Sequence, residues 1–225
     1  MSLENKSLIG VGIYTVPDLA EILNLRYYKV QRLLNEYWDK RFASQLGQKY
    51  SWSDGKSKAV SFHTLIEFYI FFQLKETGIS TRNILKAHTE LSEMFSTPFP
   101  FANANVINGI NCVGKKVLFE FENKDIINLD ASKQLNLKFI KSFASKLDFD
   151  NGNLAVRLWP LGKDKSIVVD PNYKLGLPTI NGTNIYPESI YQLHLADEPL
   201  NFIASTYLLS ENEVKDAIEF CKKAA

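Results

Sequence analysis

At 225 residues, 45% of them hydrophobic and 23% charged, the chain has a globular composition and room for one large domain or two or three small ones. A net charge of +1 leaves a nucleic-acid interface open, because a local basic patch can be offset elsewhere in the chain. The composition argues against a disulfide scaffold, a structural zinc site and a membrane-embedded chain: Cys112 and Cys221 lie far apart, the three histidines have no ligand spacing, and no apolar run nears the roughly 18 residues that span a bilayer.

The first residues carry no basic-then-apolar leader pattern, so a reducing, cytoplasmic setting is expected, with no membrane partner. In VPDLAEILNL, residues Val16, Leu19, Ala20, Ile22 and Leu23 share one face at helical spacing, and Pro17 suits the first turn. A second helix is predicted almost at once, with Val30, Leu33, Leu34 and Tyr37 as its buried stripe. Its first half carries Arg26, Tyr27, Tyr28, Lys29, Gln31 and Arg32. Arginine and lysine offer donors for phosphate or guanine, glutamine matches adenine, and tyrosine hydroxyls reach the backbone. Because adjacent helical residues diverge, one of the two tyrosines is expected in the core.

KYSWSDGKSKAVSF reads as a β-hairpin turning at Asp54-Gly55, with Lys56 and Lys58 at its tip. Residues 24–60 hold eight Lys or Arg against three acids, a balance of +5, whereas residues 163–225 hold six against nine, a balance of −3. Two short helices, a basic second helix and a lysine-bearing hairpin form a candidate winged helix-turn-helix, and the charge sits where such a head needs it.

A helix follows from Ser61 to Gly78, apolar on nearly every side, which leaves a core position and a subunit interface open for Phe68, Phe71 and Phe72. Ser80 starts another helix that ends before Pro98. Residues 106–121 are expected as a hairpin, with IINLD as a further strand, a helix through LKFIKSFASKL, and two strands around Gly162. Pro187 opens a helix to about Leu195, Pro199 opens one to Tyr207, and Ser210 with Glu213 makes a capping box for a third. The fold class expected is α+β, mainly α: residues 1–98 as a winged head with linking helices, 99–162 as a mixed α/β segment, and 163–225 as a small three-helix, helix-turn-helix-like unit with a β-arm.

Within VVDPNYKLGLPTINGTNIYPESIYQL, the residues Asp170, Pro171, Gly176, Pro178, Ile180, Gly182, Thr183 and Ile185 resemble the domain-of-unknown-function family four-three-three. Asn184 stands where that family's Gly-Thr-Arg-Ile step has arginine. Upstream, YTVPDLAEILNL, VSFHTLIEFYIFFQLKETGIS and STPFPFANANV resemble the MerR-like head and linking helices of a branch of VapB-type antitoxins that carries this tail.

The resemblance implies an antitoxin of a type II toxin–antitoxin pair. It would bind its own operator DNA as a homodimer and neutralise a PIN-like ribonuclease toxin. Phe68, Phe71, Phe72, Thr183, Asn184 and Ile185 are the candidates for dimer or partner contacts. Two other classes stay open: a ligand-responsive MerR-like transcription regulator, and an interaction scaffold. No phosphate loop, nucleophile elbow or triad spacing is visible, so neither catalysis nor a cofactor is expected, and the histidines are expected as surface or capping residues.

Overall fold

The computed structural model describes residues 12–53, 57–113, 116–120, 126–128 and 143–224. Its elements in chain order begin with β1 (Tyr14–Thr15), α1 (Val16–Ile22), α2 (Tyr27–Leu33), a π-helical stretch (Leu34–Phe42) and α3 (Ala43–Leu46). Then come β2 (Ser51–Ser53), β3 (Lys58–Val60), α4 (Phe62–Glu76), α5 (Thr81–Met94), a 3-10 turn (Pro100–Ala102) and α6 (Ala104–Gly109). The remainder comprises β4 (Ile110–Val113), β5 (Lys116–Glu120), β6 (Ile126–Asn128), β7 (Leu147–Phe149), β8 (Ala155–Leu158), β9 (Ile167–Val168), β10 (Thr179–Ile180), α7 (Pro187–Leu195), α8 (Leu200–Tyr207) and α9 (Glu211–Ala224). The protein is α+β and mainly helical.

These elements form two compact units, each assembled from segments distant in sequence: residues 1–34, 51–62 and 157–225 in one, residues 35–50 and 63–156 in the other. In the first unit, α1 starts on a reciprocal cap. Asp18 N–H donates to Thr15 Oγ1, and the Asp18 carboxylate accepts from Thr15 N–H at 2.7 Å. Asn24, at φ 52°, turns the chain between α1 and α2. Strand β3 lies between β1 and β2, with Tyr14 opposite Val60 and Ser53 opposite Lys58, both pairings antiparallel. The tip of the β2–β3 hairpin, with Lys56, lies outside the described residues.

The C-terminal part of this unit has its own core. Ile167, Ile180, Ile190, Ile203, Val214, Ala217 and Ile218 are buried together. Burying aliphatic side chains on this scale stabilises each by roughly 1.5–3 kcal/mol. Helix α7 begins at Pro187, Pro199 immediately precedes α8, and Ser210 with Glu213 forms the box at α9, as the sequence predicts. Asp216 ties α9 to the β-arm, accepting from Ser166 N–H at 2.9 Å and from Lys165 Nζ at 2.9 Å. Asp170 is 3% exposed and accepts from Arg157 Nε at 2.6 Å and Asn172 N–H at 2.9 Å.

The second unit is organised around aromatic rings. Trp38 meets Phe68 at 4.8 Å and Phe71 at 5.8 Å edge to face, and Phe42 stacks on His88 at 4.1 Å. Trp38, fully buried, takes the place that the helical spacing assigns to Tyr37, which is half-buried. Trp38 lies in the π-helical stretch, and its ring meets that of Phe42, four residues on, edge to face at 5.1 Å.

Two expectations are corrected here. Residues 104–109 form a helix rather than a strand, since the Asn103 side chain accepts from Asn105 N–H and caps it. The strands that follow, β4–β5–β6, pair antiparallel, with Cys112 opposite Val117 and Phe119 opposite Ile127. The helix expected through 137–147 lies mostly outside the described residues; residues 143 and 144 are helical, and Leu147 opens strand β7. Phe68 and Phe71 are 0% and 3% exposed, so they pack inside their own unit and offer no surface to a partner. Phe72, half-buried, keeps part of its ring accessible.

Candidate nucleic-acid interface

Helix α2 separates its residues cleanly. Val30 and Leu33 are buried, while Arg26, Tyr27, Tyr28, Lys29, Gln31 and Arg32 are all exposed. Arg26 precedes the first turn as the N-cap residue in extended backbone, rather than lying within the helix as expected. Tyr27 and Tyr28 are 48% and 55% exposed, which corrects the expectation that one of them enters the core. The apolar demand of a helix this short is met by Val30 and Leu33 alone, leaving both phenols in water.

Large aromatic side chains and three cations around the exposed side of this helix suit the phosphates, sugars and base edges of a duplex. Gln31 Nε2 donates to Tyr27 Oη at 3.1 Å across one helical turn. Helix α1 packs against α2 in the same unit, and the β2–β3 hairpin belongs to that unit as well. Lys58 is half-buried at the start of β3.

The other sequence-derived candidates lie elsewhere. Thr183 Oγ1 donates to Ile180 C=O at 2.8 Å and accepts from Ile185 N–H at 3.1 Å, closing the turn at Gly182, whose φ is 76°. Ile185 packs against the core of the C-terminal helices. Thr183 and Ile185 are both half-buried and hold their own turn, and Asn184 is the exposed member of the three.

A buried pair in the second unit went unread in the sequence. His88 and Glu67 are both fully buried, with His88 Nε2 2.6 Å from Glu67 Oε2 in a close but poorly aligned contact. The Glu67 carboxyl also accepts from Phe101 N–H at 2.8 Å. Burial raises the pKa of Glu67 above the usual carboxylate range, against the opposing pull of His88 and the backbone donors. The expectation that His88 is a surface or capping residue is thus corrected. The signal was present, because His88 falls on the apolar stripe of α5 with Ile84, Leu85 and Leu91.

Among the described residues, no group of three or more His, Cys, Asp and Glu is placed to hold a metal ion. No helix there is long and apolar enough to cross a membrane.

Residues 167–221 match DUF433, a protein family of unknown function. The DUF433 segment takes in β9, β10 and nearly all of the three-helix core, including Gly176, Thr183 and Asp216. No curated protein matches the chain. Among solved structures, the chain is similar to the X-ray crystal structure of Rv2018 from Mycobacterium tuberculosis, with a TM-score of 0.64 and 14% sequence identity. The likeness covers 91% of this chain and 96% of that one, and at this identity it concerns the fold.

Proposed function

We propose that this protein is a DNA-binding antitoxin: α1, α2 and the β2–β3 hairpin act as a MerR-like winged helix-turn-helix on operator DNA. The observation that carries the reading is the exposure at α2 of Arg26, Tyr27, Tyr28, Lys29, Gln31 and Arg32, which all stand clear of the core. A homodimer would set two such helices in successive major grooves of a palindromic site. Lys56 and Lys58 would add phosphate contacts beside them.

The antitoxin part of the reading draws on the resemblance of the head and tail to VapB-type antitoxins. Its partner would be a PIN-like ribonuclease, whose binding and the operator affinity must be coupled reciprocally if the two communicate. The protein would act by binding, without catalysis or a cofactor.

Two measurements test this. In the first, the chain is titrated against the duplex upstream of its own gene at several salt concentrations. Binding that weakens steeply with salt, and an Arg32→Ala variant with lower affinity and a flatter slope, are expected. An unchanged affinity in that variant would remove α2 as the reader. In the second, the chain is tagged and expressed with the adjacent reading frame. A stoichiometric partner whose ribonuclease activity emerges only on separation is expected; elution without a partner would leave a DNA-binding regulator and end the antitoxin reading.

A further inference from the structure

Tyr27 and Gln31 face solvent one helical turn apart, and their hydrogen bond is directional: the Gln31 amide donates and the Tyr27 phenol oxygen accepts, at 3.1 Å. A primary amide carries two N–H donors and one acceptor oxygen. With one N–H committed to the phenol, Gln31 keeps the second N–H and Oε1. Those two atoms are the complement of the adenine edge in the major groove, where N7 accepts and the N6 amino group donates. The phenol oxygen, while accepting from Gln31, retains its own O–H to donate, and a phosphate oxygen is the fitting acceptor.

An exposed glutamine ordinarily samples many rotamers, and ordering it on binding costs affinity. The phenol reduces that freedom before any base arrives. Arg26, Lys29 and Arg32, exposed on or beside the same short helix, supply charge that attracts every duplex, and their donors match phosphate or guanine rather than adenine.

We propose that Gln31 is the adenine-reading residue of α2, selective for an A·T pair, and that Tyr27 is a positioning residue that fixes the Gln31 amide for this contact. The inference rests on the nucleic-acid reading of α2 given above.

The test starts by selecting preferred duplexes from a randomised double-stranded DNA library with the full chain. Affinities of wild type, Gln31→Ala, Tyr27→Phe and Lys29→Ala are then measured for the selected duplex and its single base-pair variants. Gln31→Ala is expected to lose about 5- to 100-fold of discrimination at one A·T position, with discrimination elsewhere intact. Tyr27→Phe should lower the ratio at that same position by a smaller factor and leave other positions unchanged. Lys29→Ala should weaken all duplexes alike and reduce the salt slope by about one.

Full discrimination retained by both Gln31→Ala and Tyr27→Phe would overturn the inference while leaving α2 as a DNA-binding surface. Loss of discrimination in Gln31→Ala alone would remove Tyr27 from the positioning role. A wild-type chain that binds no duplex even at about 50 mM salt would bring down the interface reading and this inference together.

Discussion

Tyr14 presses its phenol against the backbone of Gly176, joining the first strand of the chain to the segment just before β10. Gly176 has φ 93°, and a Cβ there would collide with Tyr14 Oη and Cζ. Beside this contact, Ile13 N–H donates to Leu175 C=O at 2.8 Å. The Tyr14 ring is fully buried in its unit, so it has no free space into which to retreat. Gly176→Ala therefore combines overpacking with a left-handed backbone that alanine adopts poorly, and is expected to cost about 1–3 kcal/mol. Urea unfolding of Gly176→Ala, Tyr14→Leu and the double variant checks this. A coupling between the two sites is expected, and strictly additive losses would show that the contact is not the source.

Phe68 and Phe71 support the second unit from within. Truncating either to alanine should cost about 3–5 kcal/mol and shift the thermal midpoint by the same amount at every protein concentration. A loss that shrinks as concentration rises would instead reveal an interface at these positions.

The Glu67 carboxyl makes the stability of its unit depend on pH. Its folded pKa is raised by burial above the ordinary 4.5. Between 4.5 and that raised value, the folded chain holds a proton that the unfolded chain has lost, so stability falls as pH rises through this window. Glu67→Gln should flatten that part of the profile. Urea midpoints measured from acid to neutral pH decide the matter, and an unaltered slope in the variant would assign it to another group.

Asp216, 6% exposed, receives Lys165 and both donors of Ser166. Asp216→Ala leaves these donors without their acceptor and is expected to cost about 1–3 kcal/mol. Faster hydrogen exchange at the Ser166 amide is the local signature, and exchange at the wild-type rate would contradict it.

Cys221, 5% exposed, has its thiol pushed up to about 12, first by burial and then by the carboxylates Glu188 and Glu21. Little thiolate forms near neutrality. Site-resolved alkylation should leave Cys221 unmodified in the folded chain and label it after unfolding; rapid labelling of the folded chain would place it at an accessible surface.

Much of the local structure was legible in the sequence because its determinants lie within four residues of one another. Ser80 capping α5 and the Ser210–Glu213 box at α9 satisfy helix ends with neighbouring atoms, and Pro187 at the start of α7 removes a donor that would otherwise lack a partner. The candidate interface was legible in the same way, as six polar or aromatic residues beside the buried pair Val30 and Leu33. The coupling of Tyr27 to Gln31 was implicit in their spacing, yet rotamer choice decides whether such a pair forms.

Burial, by contrast, depends on what other segments bring to a residue. The sequence by itself determined where α5 and the C-terminal helices start, that Val30 and Leu33 are buried in α2, and the capping box of α9. Only the tertiary structure decided that Phe68 and Phe71 are enclosed, that Glu67 meets His88, and that residues 1–34 share a unit with residues 157–225. Caps and helical faces are settled by short-range hydrogen bonds and periodicity, whereas enclosure is settled by packing between segments that the chain order keeps far apart.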